Sequence, residues 1–280
     1  MKVERPVSVD VFLDEYSRDD VIAKYLNDTA GAGIAHALHH VYGPVYDDVV
    51  HRVIAQRPRG HGFRVVEYGC GGGMNLVKML DLFRRQNAAI ALGVGADFSP
   101  RMIEAAREDV LPRLPAPLRE RVQFAVAANE SLASDLAKDL GTPTEELEKS
   151  FDVVVGVNTF RYCHRLRKDD DCARDIYRLL APGGFSVMID MNRGFPLFKS
   201  RVADVVRRRK PEEAYLPTLE EYTSPFRRAG MTIQASRNFC WFPHSAGPGL
   251  VSVLRVAAPA LDMTLSRFAM RSLVIAQRPA

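Results

Sequence analysis

The sequence predicts an α/β protein whose seven strands form a mostly parallel sheet, and three features carry that expectation. Its 280 residues are 47% hydrophobic, enough to bury a full core in one elaborated domain. From residue 63 onward, short apolar runs alternate with amphipathic stretches, the pattern of βα units around a parallel sheet. Two of those runs end in an acidic residue that leads directly into a turn and a new helix start, the edge at which such sheets hold their ligands.

The elements follow in order. Residues 9–56 read as helical, because Val21, Ile22, Tyr25 and Leu26, then Ile34, Ala35, Leu38, Val41 and Tyr42, recur at spacings of three and four. Pro58, Gly60 and Gly62 close that segment, so residues 1–60 are expected as a helical N-terminal cap and 61–280 as the sheet core. Strands are expected at 63–68, 89–96, 122–127, 151–157, 184–191, 232–238 and 272–276, with helices between most of them. One helix, 175–180, is ended by the turn Pro182-Gly183-Gly184. A lid insertion is expected at about 240–270, with a helix pair running to Ala269. Its apolar stretch 250–261 contains Arg255 and Pro259 and is shorter than the ~20 residues that span a bilayer, so it reads as a buried or lid helix.

Composition narrows the partners. The 38 basic and 34 acidic residues leave a net charge of +4, too balanced to demand nucleic acid, and no membrane partner is expected. The basic run Arg207 to Lys210 reads as a solvated helix face. The four cysteines, Cys70, Cys163, Cys172 and Cys240, form no CxxC pair and read as reduced thiols of a cytoplasmic protein. The first twelve residues lack the apolar run of a secretory signal. His36 and His40 can share a helix face, but no HExxH glutamate accompanies them, so they read as structural and no metal site is expected. A monomer or homodimer is expected.

The strongest motif is Val65-Val66-Glu67-Tyr68-Gly69-Cys70-Gly71-Gly72-Gly73. Its glycines let the backbone bend and approach a ligand closely, and the helix starting near Met74 aims free N–H groups at an anion. A dinucleotide loop, G-x-G-x-x-G/A counted from Gly69, would need a small residue where Met74 stands, which disfavours a nicotinamide-dependent oxidoreductase. A second strand ends at Asp97, followed by Phe98, Ser99 and Pro100. A carboxylate there can accept hydrogen bonds from both hydroxyls of a ribose, and Phe98 can cover one face of an adenine.

The run Glu67-x-Gly69-x-Gly71-x-Gly73 resembles motif I of the class I S-adenosylmethionine-dependent methyltransferases. The resemblance extends over residues 63–192, through Phe151 to Asn158 and the loop Thr159 to His164, and through Ile176 to Gly184. It implies a Rossmann-like sheet closed by an antiparallel last strand at 271–277, and S-adenosylmethionine as cofactor. Implied cofactor residues are Glu67, Tyr68, Gly69, Cys70, Gly71, Gly73, Asp97, Phe98, Met102, Glu130 and Asn158. The chain departs from the family after the third strand, where Ala128 stands in place of the Asp that meets the adenine amino group. Asn129 is the substitute acceptor for that amino group, or a turn residue.

The resemblance places the loop 159–164 beside the reactive methyl. His164 is the preferred general base, since histidine titrates near neutral pH, with Tyr162 beside it. Arg161 can carry an acceptor's carboxylate or phosphate. The N-terminal segment, with Tyr16, Tyr25 and Tyr42, is expected to cover the site, and Tyr25, Trp241 and His244 are candidate acceptor contacts from the cap and lid. The expected function is methylation of a small, partly apolar metabolite, with specialised metabolism a natural setting. RNA or protein methylation, and a cofactor-binding scaffold without catalysis, stand as alternatives.

Overall fold

The computed structural model describes residues 16–27, 36–196, 216–241 and 246–280, the side chains of 24–27 excepted. Its strands are β1 (Gly62–Tyr68), β2 (Ala89–Asp97), β3 (Val122–Val126), β4 (Phe151–Val157), β5 (Leu180–Met191), β6 (Thr232–Phe239) and β7 (Arg271–Gln277). They form one sheet in the order β3-β2-β1-β4-β5-β7-β6. β1 to β5 are mutually parallel, while β7 runs antiparallel to both β5 and β6. In β4, at the middle, Phe151 to Gly156 are all buried, the continuous apolar run of a strand covered on both faces.

The α-helices of six residues or more are α1 (Asp19–Asn27), α2 (Gly43–Ala55), α3 (Met74–Arg85), α4 (Pro100–Ala105), α5 (Leu132–Leu140), α6 (Phe160–Arg165), α7 (Asp169–Leu179), α8 (Leu219–Arg228) and α9 (Pro248–Leu265). Because successive strand side chains point to opposite faces, the sheet divides its apolar residues between two layers. Val65, Val153, Val187 and Ile275 pack with α2 and α3 on one side. Val66, Val154, Met188 and Val274 pack with α5, α7 and α8 on the other. The segment expected as a cap is therefore, from Gly43 on, a layer of the core: Val45, Tyr46, Val49, Val50 and Val53 of α2 are buried against the sheet.

Two expectations are corrected. Pro182-Gly183-Gly184 lies within β5 and does not precede it. Leu180 still pairs with Phe151, and the register then jumps so that Val153 meets Phe185, which loops the intervening residues out around Gly183 at φ 75°. The stretch after residue 247 is one helix, continuous through Arg255 and Pro259 and followed by a 3-10 turn, Ser266–Phe268, in place of a pair.

That helix is also largely exposed. Val251 and Leu254 pack on the core, but Val256 and Met263 are 84% and 88% exposed. Apolar residues run around most of its circumference, so one face packs and the rest meets solvent. Pro248 to Phe268 is long and apolar enough to cross a membrane by length and composition. The basic run 207–210 lies outside the described residues.

Candidate active site

The loop after β1 turns on glycines in the left-handed region. Gly69 has φ 57° and Gly73, which caps α3, has φ 73°. A Cβ at Gly69 would collide with the Thr159 side chain, so the loops after β1 and β4 meet only because residue 69 has none. Glu67, 1% exposed, accepts from Asn75 Nδ2 at 2.8 Å and from the Leu76 N–H at 2.7 Å. Asn75 in turn accepts from the Tyr46 hydroxyl at 2.9 Å. Burial pushes the Glu67 carboxyl up to about 8, the Asn75 and Leu76 donors pull it back in part, and Asp97 adds to the rise.

Asp97 ends β2 with each oxygen on one backbone donor: Gly71 N–H on Oδ2 and Ser99 N–H on Oδ1, both at 3.0 Å. Each oxygen keeps a lone pair for a further donor. Burial raises this carboxyl as well. Ser99 caps α4 through Met102 N–H and donates to the Tyr16 carbonyl at 3.1 Å. That bond brings Tyr16 over the site, its ring edge-on to Phe98 at 5.6 Å and to Tyr162 at 5.9 Å.

Across from this loop, Asn129 Nδ2 donates to Thr159 Oγ1 at 2.7 Å, which leaves the buried Asn129 Oδ1 without a partner. Asn158 follows β4 in the left-handed region at φ 59°, and its Oδ1 accepts from an Nη of Arg271. Arg161 is buried and ion-paired with Asp190 at 2.9 Å, and its other Nη donates to the Tyr162 hydroxyl at 2.8 Å.

Together these loops enclose a cavity of about 1150 Å³, its mouth included. Its needs and those of an adenosyl sulfonium agree. Asp97 offers lone pairs to two ribose hydroxyls, Asn129 Oδ1 is an unmet acceptor for an adenine amino group, and Phe98 and Met102 are apolar walls. Residues 66–186 match the family model described as a methyltransferase domain. The chain carries a class I, S-adenosylmethionine-dependent methyltransferase domain.

Solved structures share its fold. Magnesium protoporphyrin IX methyltransferase (ChlM) from Synechocystis PCC 6803, with SAH bound, matches with TM-score 0.57 and 14% identity, over 96% of this chain and 98% of that one. The S-adenosylmethionine-dependent methyltransferase from Mesorhizobium loti matches with TM-score 0.50 and 19% identity, over 81% and 95%. The [4+2]-cyclase SpnF matches with TM-score 0.53 and 18% identity, over 85% and 81%. At these identities the likeness is one of fold. No curated protein matches the chain in sequence.

In this methyltransferase the cavity gathers Glu67, Gly69, Cys70, Gly71, Asp97, Phe98, Met102, Asn129, Glu130, Asn158 and Tyr162. Two residues of the glycine motif stand apart from it. The Tyr68 ring lies where a side chain on Gly156 would be and belongs to the core cluster beneath the sheet. Gly73 serves the turn, since a Cβ there would press on Phe124.

The proposed base is corrected. His164 is absent from the cavity lining and its Nδ1 lies 3.2 Å from Asp169 Oδ2. Residues 160–165 form α6, a helix and not a loop. Side chains two apart on a helix face different ways, so Tyr162, Cys163 and Leu166 line the cavity and His164 does not. Arg161 lies behind the lining, in its pair with Asp190. Trp241 donates to Asp262 on α9 at 2.7 Å and lies away from the cavity. The Tyr25 side chain and His244 lie outside the described residues.

Sequence reasoning missed Asn75 and Leu166 among the lining residues, named Tyr16 and Tyr42 only as part of the covering segment, and named Thr159 and Cys163 only as part of the loop after β4. Asn75 alone carried a local signal: an amide on the face of α3 whose neighbours Leu76, Met79 and Leu80 are buried.

The cofactor supplies a methyl carbon made electrophilic by its sulfonium. Asp97, Asn129 and the glycine loop are the chain's own groups that would hold and orient it. Holding donor and nucleophile at attack distance in a cavity screened by Tyr16 and Tyr162 is itself a large part of such catalysis.

Proposed function

We propose that this methyltransferase acts on a small, partly apolar metabolite, of the kind handled in specialised metabolism. One observation carries the reading: the cavity is walled opposite the glycine loop by Tyr16, Tyr42, Tyr162, Cys163 and Leu166. Tyr16 is fastened there by the Ser99 bond and by a hydrogen bond between its hydroxyl and that of Tyr162. A roofed, aromatic pocket suits an acceptor of drug-like size. A polymer acceptor would instead call for an open, basic cleft.

The experiment is formation of S-adenosylhomocysteine by the purified protein with a panel of small aromatic and aliphatic acceptors. Total RNA and unfolded protein serve as rival acceptors. Turnover with small molecules supports the reading. Turnover confined to the polymers would overturn it.

A further inference from the structure

We infer that the acceptor presents a carboxylate, for which Arg271 supplies the counter-charge through Asn158; this rests on the small-molecule reading above. Arg271 opens β7, opposite Met191 and Phe239, at the same edge of the sheet where β1 and β4 deliver their loops. It is 5% exposed. One Nη donates to Asn158 Oδ1 and the guanidinium also hydrogen-bonds the Tyr42 side chain, while Nε, fully buried, has no hydrogen-bond partner among the described residues.

No carboxylate among the described residues pairs with it. Asp190, the acid of this region, spends its oxygens on the Arg161 guanidinium and on the backbone N–H groups of Arg161 and Met191. Of the two buried guanidinium groups, Arg161 thus holds Asp190 and Arg271 has no carboxylate among the described residues, and a buried charge without a partner is costly. A fold that retains such an excess cation behind a binding cavity is built to receive an anion there.

The approach is through Asn158. The Arg271 bond engages its Oδ1, which leaves the amide Nδ2 of this cavity-lining residue as a donor for a ligand oxygen. Tyr42, on the same wall, is also in electrostatic contact with Arg271. An amide donor backed by a planar guanidinium suits a two-oxygen anion better than a neutral hydroxyl.

The chemistry balances without a base. A lone pair of the carboxylate oxygen forms the new C–O bond to the methyl carbon, and the methyl–sulfur bond breaks with its pair left on sulfur. The carboxylate and the sulfonium each lose their charge, giving an ester and a neutral thioether, and no proton moves. That matches a cavity whose described lining contains no histidine or lysine, and whose carboxylates are Glu67 and Asp97 at the glycine loop and Glu130 after β3. A phenol or amine acceptor would need a base.

The test uses the full chain with S-adenosylmethionine and a panel of aromatic and aliphatic carboxylic acids, each beside its primary amide and its alcohol. Acids alone should be turned over. Arg271→Gln should lower kcat/KM for the best acid by about 30-fold or more, while its Kd for S-adenosylhomocysteine stays within about threefold of the parent.

Equal turnover of amides or alcohols would overturn the inference and leave the small-molecule reading intact, whereas turnover of RNA or protein alone would sink both. Turnover of no acid in the panel also counts against it. Loss of S-adenosylhomocysteine affinity in step with turnover would reassign Arg271 to the cofactor's own carboxylate. Should R271Q fail to fold, the parent protein saturated with S-adenosylhomocysteine decides: acids should raise its Tm and the matched amides should not, and equal shifts would refute the proposal.

Discussion

Binding of S-adenosylmethionine at pH 7 should expel close to one proton, with Glu67 as its source. The Glu67 carboxyl is held at about 8 by burial, against the pull of Asn75 and Leu76, so at pH 7 it is about nine-tenths protonated. The cofactor carries a net charge of +1 and Glu67 lines its cavity. A positive charge about 5 Å away is worth ~3 kcal/mol at an effective dielectric of ~20, enough at 1.36 kcal/mol per pH unit to carry Glu67 below neutrality. Because the bound form holds fewer protons than the free form, affinity should rise with pH up to about 8 and level off above it.

Calorimetric titration at pH 7 in buffers of different ionisation enthalpy reads the proton count directly. Roughly 0.5 to 0.9 protons should be released, falling toward none above pH 9. Glu67→Gln should abolish the release and still fold. Its carbonyl can accept the Leu76 N–H, and the Asn75 amide can turn over because the Tyr46 hydroxyl that now donates to it can accept instead. No release by the parent, or undiminished release by the variant, would refute the assignment.

Asp97→Asn removes the charge that two ribose hydroxyls would meet and should weaken S-adenosylhomocysteine binding by ~1.5 to 3 kcal/mol in the same calorimetric assay. Gly69→Ala forces a side chain into the left-handed region and against Thr159; a loss of ~2 kcal/mol or more in urea unfolding is expected, and an unchanged midpoint would argue against the close approach of the two loops. His164→Gln should leave kcat/KM within about threefold of the parent for any accepted substrate, since His164 lies off the cavity beside Asp169; a loss of a hundredfold would restore it as the base.

What could be read from sequence was local. A strand ending in an acid, a glycine turn and a helix start are consecutive in the chain, so Glu67, Gly69, Gly71 and Asp97 were legible as neighbours on one cavity before any packing was known. Asn129 was readable only as an alternative between acceptor and turn residue, and its orphaned Oδ1 now favours the acceptor role. Tyr16 and Tyr42 were legible only as members of a covering segment, because tertiary packing decides which of its side chains reach the cavity. His164 was misplaced because 160–165 is a helix, and a helix sorts neighbours by angle and not by proximity in sequence. Trp241 looked like a pocket aromatic, but its indole N–H is taken by Asp262 on α9.

The position of β7 sets an order on the folding of the chain. Among the described residues β6 pairs with β7 alone, so residues 232–239 join this sheet only once 271–277 have been synthesised and slipped between them and β5. Up to that moment a nascent chain on the ribosome would expose the flank of β5, and Arg271 would still be missing from its place beside Asn158. The arrival of β7 thus joins β6 to the sheet and sets Arg271 behind Asn158 of the cavity.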